Sequence, residues 1–279
     1  MVHAPAMRSK VCLALAPLVP LVLLVAACGP GAPSSSSARV EVPAAQPAPS
    51  SAPAPAPAAA PSFVAPIDER FATTREGWRV DYHLRLPALQ PEQAKGLRHA
   101  CTAWLFQGLA TPRPTLAASG EAALAALIAD GGKPDGTGPW FSERAVVAMH
   151  QGGGWLALRR SESSCAGQPH ANSRIESLII KLAGVRALTL DEVVPPECQG
   201  GLRLLLAAEL RRSRGLPADG PLTSEIASDA ELPIPVPLLN AQGARFVWNP
   251  YEIGPFSDGA YEVVLSAAQV RGFLAVNPW

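Results

Sequence analysis

Charge of one sign is what this sequence lacks first: 23 Lys and Arg balance 23 Asp and Glu, and charged residues make up only 16% of the chain. Nucleic acid demands a concentrated basic face and an anionic membrane demands a polybasic patch, so the balance argues against both as partners. Catalytic signatures are missing too. There is no G-x-S-x-G elbow, no H-E-x-x-H, no phosphate-cradling G-x-x-x-x-G-K and no Cys-x-x-Cys pair. The five histidines are scattered, with His3 at the extreme N-terminus and His83 between Asp81 and Arg85 on the polar side of an alternating run. That dispersion predicts no metal site and no cofactor, and the chain is read as a non-enzyme.

What is present is unevenly distributed along 279 residues, 30 of them Pro and 23 Gly. Arg8 and Lys10 precede an apolar run from Val11 to Ala27, interrupted by Pro17 and Pro20, and then come Cys28 and Gly29. Val25-Ala26-Ala27-Cys28 resembles the bacterial lipoprotein box, whose cysteine is lipidated and becomes the mature N-terminus. The resemblance implies a signal peptide over 1–27, a lipid on Cys28 as the membrane contact, and an extracytoplasmic location. The residue after Cys28 is not Asp, which by the same resemblance implies the periplasmic face of the outer membrane where the source has two membranes. From 28 to 62 the chain is almost wholly Pro, Ala, Ser and Gly, with Arg39 and Glu41 its only charges. Such a segment cannot bury enough apolar area to offset its ordering entropy, so a disordered tether is expected.

The remaining 63–279 suits one domain or two closely packed subdomains. Trp78 to Leu86 alternates apolar and polar residues without a break and predicts a half-buried strand. Pro91 and Glu92 open a helix with Leu97, Cys101, Trp104 and Leu105 on one face, and a second helix is predicted over 121–129 with Ser119 as its cap. Strand signals follow at 145–149, 155–160 and 174–182, the last two separated by a polar loop over 161–173. A helix over 201–213 carries a Leu202, Leu205, Leu206 and Leu210 stripe, with Glu209 expected to pair with a nearby arginine. Strands at 245–248 and 261–265 close the chain. The pattern predicts an α+β fold: a mainly antiparallel sheet with a few packed helices.

Cys101, Cys165 and Cys198 lie beyond the signal and the lipidation position. Cys101 falls on an apolar helix face, whereas Cys165 and Cys198 fall at loop or helix-start positions, so a Cys165–Cys198 bond is expected in an oxidising compartment. A bond to Cys101 is the competing assignment. Closing the 165–198 loop adds roughly 3–4 kcal/mol in the chain-entropy picture.

One stretch is distinctive: Phe246-Val247-Trp248-Asn249-Pro250-Tyr251-Glu252-Ile253-Gly254-Pro255-Phe256-Ser257-Asp258-Gly259, followed by Tyr261 to Leu265. It reads as a strand, a proline-set corner, an Asp-Gly turn and a returning strand. Tyr251 and Phe256 pack under such a corner by default, while Glu252, Ser257 and Asp258 serve as turn caps or as contacts. With His170 in the preceding loop, Tyr251, Glu252, Phe256 and Asp258 form the candidate binding set.

This stretch resembles the RsiV-type C-terminal domain, a family of unknown general function shared with a lysozyme-sensing anti-sigma factor and some peptidoglycan deacetylases. The likeness extends more loosely back to Ala145, through Leu190-Asp191-Glu192-Val193-Val194 and the loop Ala166-Gly167-Gln168-Pro169-His170, where the family often has Gly-Gly-Ala-His. It implies an α+β, non-catalytic module that binds a protein such as lysozyme or another envelope component. A peptidoglycan-directed hydrolase and a purely structural envelope lipoprotein are the alternatives.

Overall fold

The computed structural model describes residues 63–131, 139–276 and 279. The expected signal peptide, Cys28 and the tether lie outside the described residues. The domain opens with β1 (Ile67–Arg75) and β2 (Trp78–Leu86), an antiparallel hairpin closed by Glu76 and Gly77 at φ 49° and 83°. A two-residue turn of this hand needs left-handed backbone at both central positions. β2 has the ends its alternation predicts, and its apolar residues Trp78, Val80, Tyr82, Leu84 and Leu86 are all buried. β1 escaped sequence reading because its outward positions carry Asp68, Arg70 and Thr74. Such polar residues suit a sheet edge, where they blunt pairing with other chains.

Two helices, α1 (Pro91–Leu105) and α2 (Leu116–Gly131), then cross over the sheet. They make β2 and β3 (Trp140–Gly152) a parallel pair, which only a long crossover can join. α2 begins earlier than expected. The Thr115 hydroxyl accepts from Ala118 N at 3.1 Å, and Ser119 is a buried residue inside the helix whose hydroxyl accepts from Arg113 N at 2.8 Å, so Ser119 is not the cap. β4 (Trp155–Ala166) returns from β3 through Gly153 and Gly154, both at positive φ. β5 (Asn172–Lys181) and the short β6 (Arg186–Ala187) complete a six-stranded sheet in sequence order.

The expected polar loop over 161–173 is mostly strand. Ser161, Glu162, Ser163 and Ser164 pair with Ile175, Arg174, Ser173 and Asn172. Their polarity hid the strand because this part of the sheet is lined by ion pairs rather than by a core.

On the opposite face lie α3 (Leu190–Val193), α4 (Pro196–Arg214) and a second sheet of β7 (Leu238–Asn240), β8 (Gly243–Trp248) and β9 (Tyr261–Ser266), followed by the single turn α5 (Ala267–Val270). α4 starts at Pro196 rather than at 201 and stops at Gly215, whose φ of 65° forms a left-handed cap. Glu209 pairs with Arg212 at 2.6 Å, as its position on the helix implies. Alternate residues of β4 and β5 feed two cores. Leu156, Leu158 and Ile180 pack with α1 and α2, while Ala157 and Ile179 pack with α4 and the second sheet.

All three cysteines of the domain are free, which corrects the expected Cys165–Cys198 bond. The thiol of Cys165 faces the Gln168 carbonyl at 3.4 Å, beside the loop that carries His170, and the His170 ring lies against Phe256. Cys198 sits in the first turn of α4 near the Gly272 carbonyl, whereas the last turn of that helix brings Arg214 to Asp258 next to Phe256. About 24 Å of helix, at 1.5 Å per residue, therefore separates Cys198 from the end where Cys165 lies. Cys101 is enclosed under α1, and burial pushes its thiol up to about 12. Among the described residues no helix is long and apolar enough to cross a membrane.

Candidate functional site

The corner between β8 and β9 is hydrogen-bonded to the edge of the large sheet through Asn249. Asn249, 7% exposed, accepts from Ile175 N at 2.7 Å and donates through Nδ2 to Ile175 O at 3.0 Å, so its amide stands in for a neighbouring strand on the outer edge of β5. Glu252 clasps the same residue, accepting from Asn249 N at 2.9 Å and from Nδ2 at 3.1 Å. The tight turn between them is closed by Tyr251 N to Gly254 O at 3.0 Å and by Glu252 N to Asn249 O at 3.0 Å. A side chain at Gly254 would run into the ring of Tyr261, so glycine is required there by close approach.

The second half of the corner is held from α4. Tyr261 donates its hydroxyl to Asp258 at 2.5 Å, Arg214 lies over the Tyr261 ring at 4.4 Å, and its guanidinium stands 3.7 Å from Asp258. Burial, and then this donation to a carboxylate, raise the Tyr261 pKa above its ordinary value. Gly259 follows at φ 73°, the positive value its Asp-Gly context predicts. Glu252 and Asp258, two of the candidate binding residues, are thus engaged in framing the corner.

The aromatic candidates come together. Phe256 stacks with Tyr251, at 5.7 Å between ring centroids, and meets His170 at 5.8 Å with the rings tilted by 35°. His170 arrives from the β4–β5 loop and the other two from the corner, so residues far apart in the chain build one ladder of rings. Tyr251 is its outer rung: 71% exposed and at φ 70°, a left-handed backbone that costs a bulky residue about 1–2 kcal/mol. Exposed strain of this kind concentrates at functional sites.

Beside the rings runs a row of alternating charge that sequence reading missed. Arg144 on β3 pairs with Glu162 on β4 at 2.7 Å, and Arg160 on β4 pairs with Glu176 on β5 at 2.7 Å and approaches Glu162 at 3.9 Å. Arg174 on β5 pairs with Glu176 at 2.8 Å and reaches Glu252 in the corner at 3.9 Å. Register explains the row: Arg144 sits opposite Glu162, Glu162 opposite Arg174, and Arg160 opposite Glu176, all on one face. The two innermost arginines are buried, and each also meets the end of α1. Arg144 donates to Gln107 O at 2.7 Å and Arg160 to Trp104 O at 2.7 Å. The last turn of α1 has no basic residue of its own, so these strand arginines supply the positive charge that its C-terminal carbonyls favour. Burial lowers the Arg160 pKa from its ordinary value, against the pull of Glu176 and Glu162. The signal available in the sequence was the spacing Arg160-x-Glu162 and Arg174-x-Glu176, opposite charges two apart and therefore on one face of a strand.

Rings and charges enclose an open cleft of about 780 Å³, lined by Gln107, Arg160, Ser164, Asn172, Arg174 and Tyr251 among others. That volume falls within the range of about 300–1,000 Å³ usual for small-ligand sites. A hollow of about 280 Å³, bordered by Ala171, Asn249, Phe256 and Gly259, shares Phe256 and Asn249 with the cleft.

Comparison with solved structures finds the same fold. A DUF3298 family member from Bacteroides fragilis superposes with a TM-score of 0.54 at 18% sequence identity, over 78% of this chain and 94% of that one. A DUF3298 family protein from Pseudomonas aeruginosa gives 0.53 at 16%, over 77% and 96%. The matched share is larger than 145–279 could supply, so the likeness takes in the β1–β2 hairpin side of the domain as well as the corner. No family model matches the chain, and no curated protein matches it in sequence.

Proposed function

We propose that this chain is a lipid-anchored protein of the cell envelope whose domain binds envelope material at the cleft between the charged row and Tyr251, without catalysing a reaction. The observation that carries the reading is the outward, strained Tyr251, fixed in place by the Asn249–Glu252 clasp and by Phe256. Recognition concentrates on loops held by a rigid scaffold, and a ring ordered before binding loses little freedom when it engages a ligand. The carboxylates along the wall are spoken for: Glu162 and Glu176 by arginines, Glu252 by Asn249. This favours a recognition surface over a hydrolytic one. The lipid at Cys28 rests on the Val25 to Cys28 box, and the Pro, Ala, Ser and Gly composition of 28–62 suits a tether between that lipid and the domain. A muramidase such as lysozyme, or another envelope protein, is the protein partner in view.

Two measurements test the reading. The Cys28→Ser chain is expected to leave the detergent phase for the aqueous phase on phase partitioning, and unchanged partitioning would reject the anchor. The full chain, immobilised and offered envelope extract and lysozyme separately, is expected to retain material that the Tyr251→Ala chain releases. Equal retention by the two chains would reject the cleft as the binding site.

A further inference from the structure

We infer that the cleft takes an uncharged oligosaccharide, an inference that rests on the cleft being the binding site. The cleft is lined by two arginines, Arg160 and Arg174, and three glutamates, Glu162, Glu176 and Glu252. Each of these charges is already engaged: the arginines pair with the glutamates, Arg144 beyond the cleft holds Glu162, and Asn249 holds Glu252. An anion meets a surplus of carboxylates, and a phosphate, a carboxylate or a cationic peptide alike would have to break pairs already made.

What remains uncommitted is neutral. The hydroxyl of Ser164 and the amide of Asn172 belong to residues that line the cleft, and neither makes an internal side-chain hydrogen bond among the described residues. Ser164 and Asn172 sit opposite each other across β4 and β5, on the face that bears the charged row. Tyr251, backed by Phe256, presents a flat apolar surface with a hydroxyl at its edge.

This pairing of surfaces selects a ligand chemistry. A pyranose ring has an apolar face of C–H groups and a rim of hydroxyls that both donate and accept. An aromatic ring fits the first, and amide and hydroxyl side chains, each able to donate and accept, fit the second. A wholly apolar ligand would leave the floor of serine, asparagine and charged residues without partners, at a desolvation cost. The open cleft of about 780 Å³ has room for more than one sugar unit.

The test is calorimetric titration of the full chain in detergent with two uncharged probes, the N-acetylglucosamine tetramer and cellotetraose. An anionic galacturonate tetramer and lysozyme serve as comparators. Expected is binding of at least one uncharged probe in preference to the galacturonate. Tyr251→Ala should weaken it about tenfold or more, as truncation of a central aromatic contact does, while Tyr251→Phe retains it. Asn172→Ala should weaken it less, and thermal melting of all three variants should match that of the parent, since neither side chain is buried. Absence of heat with both uncharged probes overturns the inference, as does binding that survives both Tyr251→Ala and Asn172→Ala. If lysozyme alone binds, and Tyr251→Ala abolishes that, the saccharide is rejected while the cleft stands. If nothing offered distinguishes Tyr251→Ala from the parent, both readings fall.

Discussion

Asn249 shows how much one side chain can decide. Its amide replaces two backbone hydrogen bonds on the edge of β5 and is itself bracketed by Glu252. Removing it leaves the Ile175 N–H and C=O without partners at a half-buried position, a loss of about 1–3 kcal/mol. Asn249→Ala is therefore expected to lower the urea midpoint with an unchanged slope, and Asn249→Asp, which keeps the acceptor but loses the donor, to fall between it and the parent. An Asn249→Ala midpoint equal to that of the parent would show that the corner is held by other contacts. Tyr251 behaves oppositely. Glycine adopts positive φ without strain, so Tyr251→Gly should melt at or above the parent temperature while losing the ring the cleft presents.

At the scale of elements, the strand arginines and the helix they meet form one unit. Arg160 is 6% exposed and serves Trp104 O, Glu162 and Glu176 together. Arg160→Leu removes the cation that Glu162 and Glu176 share and the donor to Trp104 O; each carboxylate keeps a second arginine, so the expected cost lies below the roughly 3–5 kcal/mol of a fully orphaned buried charge. Chemical denaturation should show that loss. An Arg160→Leu chain as stable as the parent would mean that the row contributes nothing to the fold. The one-turn α3 carries a pH dependence of known direction. Glu192 completes a capping box with Thr189, and Arg186, followed by the Thr189 backbone, holds its carboxyl at about 2 against an ordinary 4.5. A depressed carboxyl contributes its stability above the ordinary value and loses it as protons bind in the folded state. The contribution should be whole above pH 4.5 and vanish as pH falls towards about 2. Glu192→Gln should flatten that part of an acid denaturation curve, and a curve with the parent's slope there would remove Glu192 from the account.

Over the whole molecule, the large sheet is a partition between two cores, and the cleft opens where neither core reaches. The helices α1 and α2 cover one face only as far as Gln107, and the second sheet covers the other as far as Asn249, so the ends of β4 and β5 beyond them carry polar side chains. This arrangement separates Cys165 from Cys198 and leaves both as thiols. Peptide mapping without reductant is expected to find no linked pair among Cys101, Cys165 and Cys198. Cys198, which is partly exposed, should react with a thiol reagent before Cys101, which is buried and has its thiol raised to about 12. A linked Cys165–Cys198 peptide would overturn the placement of α4 against the sheet.

The local rules of the chain determined much of this protein. Strict alternation over Trp78 to Leu86 placed β2 to the residue, because a strand with one face on a core has no other pattern available to it. The leucine stripe placed α4 and with it the Glu209–Arg212 pair, and the Asp-Gly step placed the positive φ of Gly259. The candidate residues Tyr251, Phe256 and His170 were legible as an unusual stretch and a nearby loop, yet nothing local could say that their rings meet. That took the pairing of β4 with β5 and the docking of Asn249 on the β5 edge. The strand over Ser161 to Ala166 and the cleft were silent for the same reason, and the charged row showed only as opposite charges two apart: polar residues that satisfy one another across strands leave no hydrophobic period in the sequence. Periodicity records what a segment buries against a core, whereas a site made of groups contributed by several strands exists only after register and packing have brought them together.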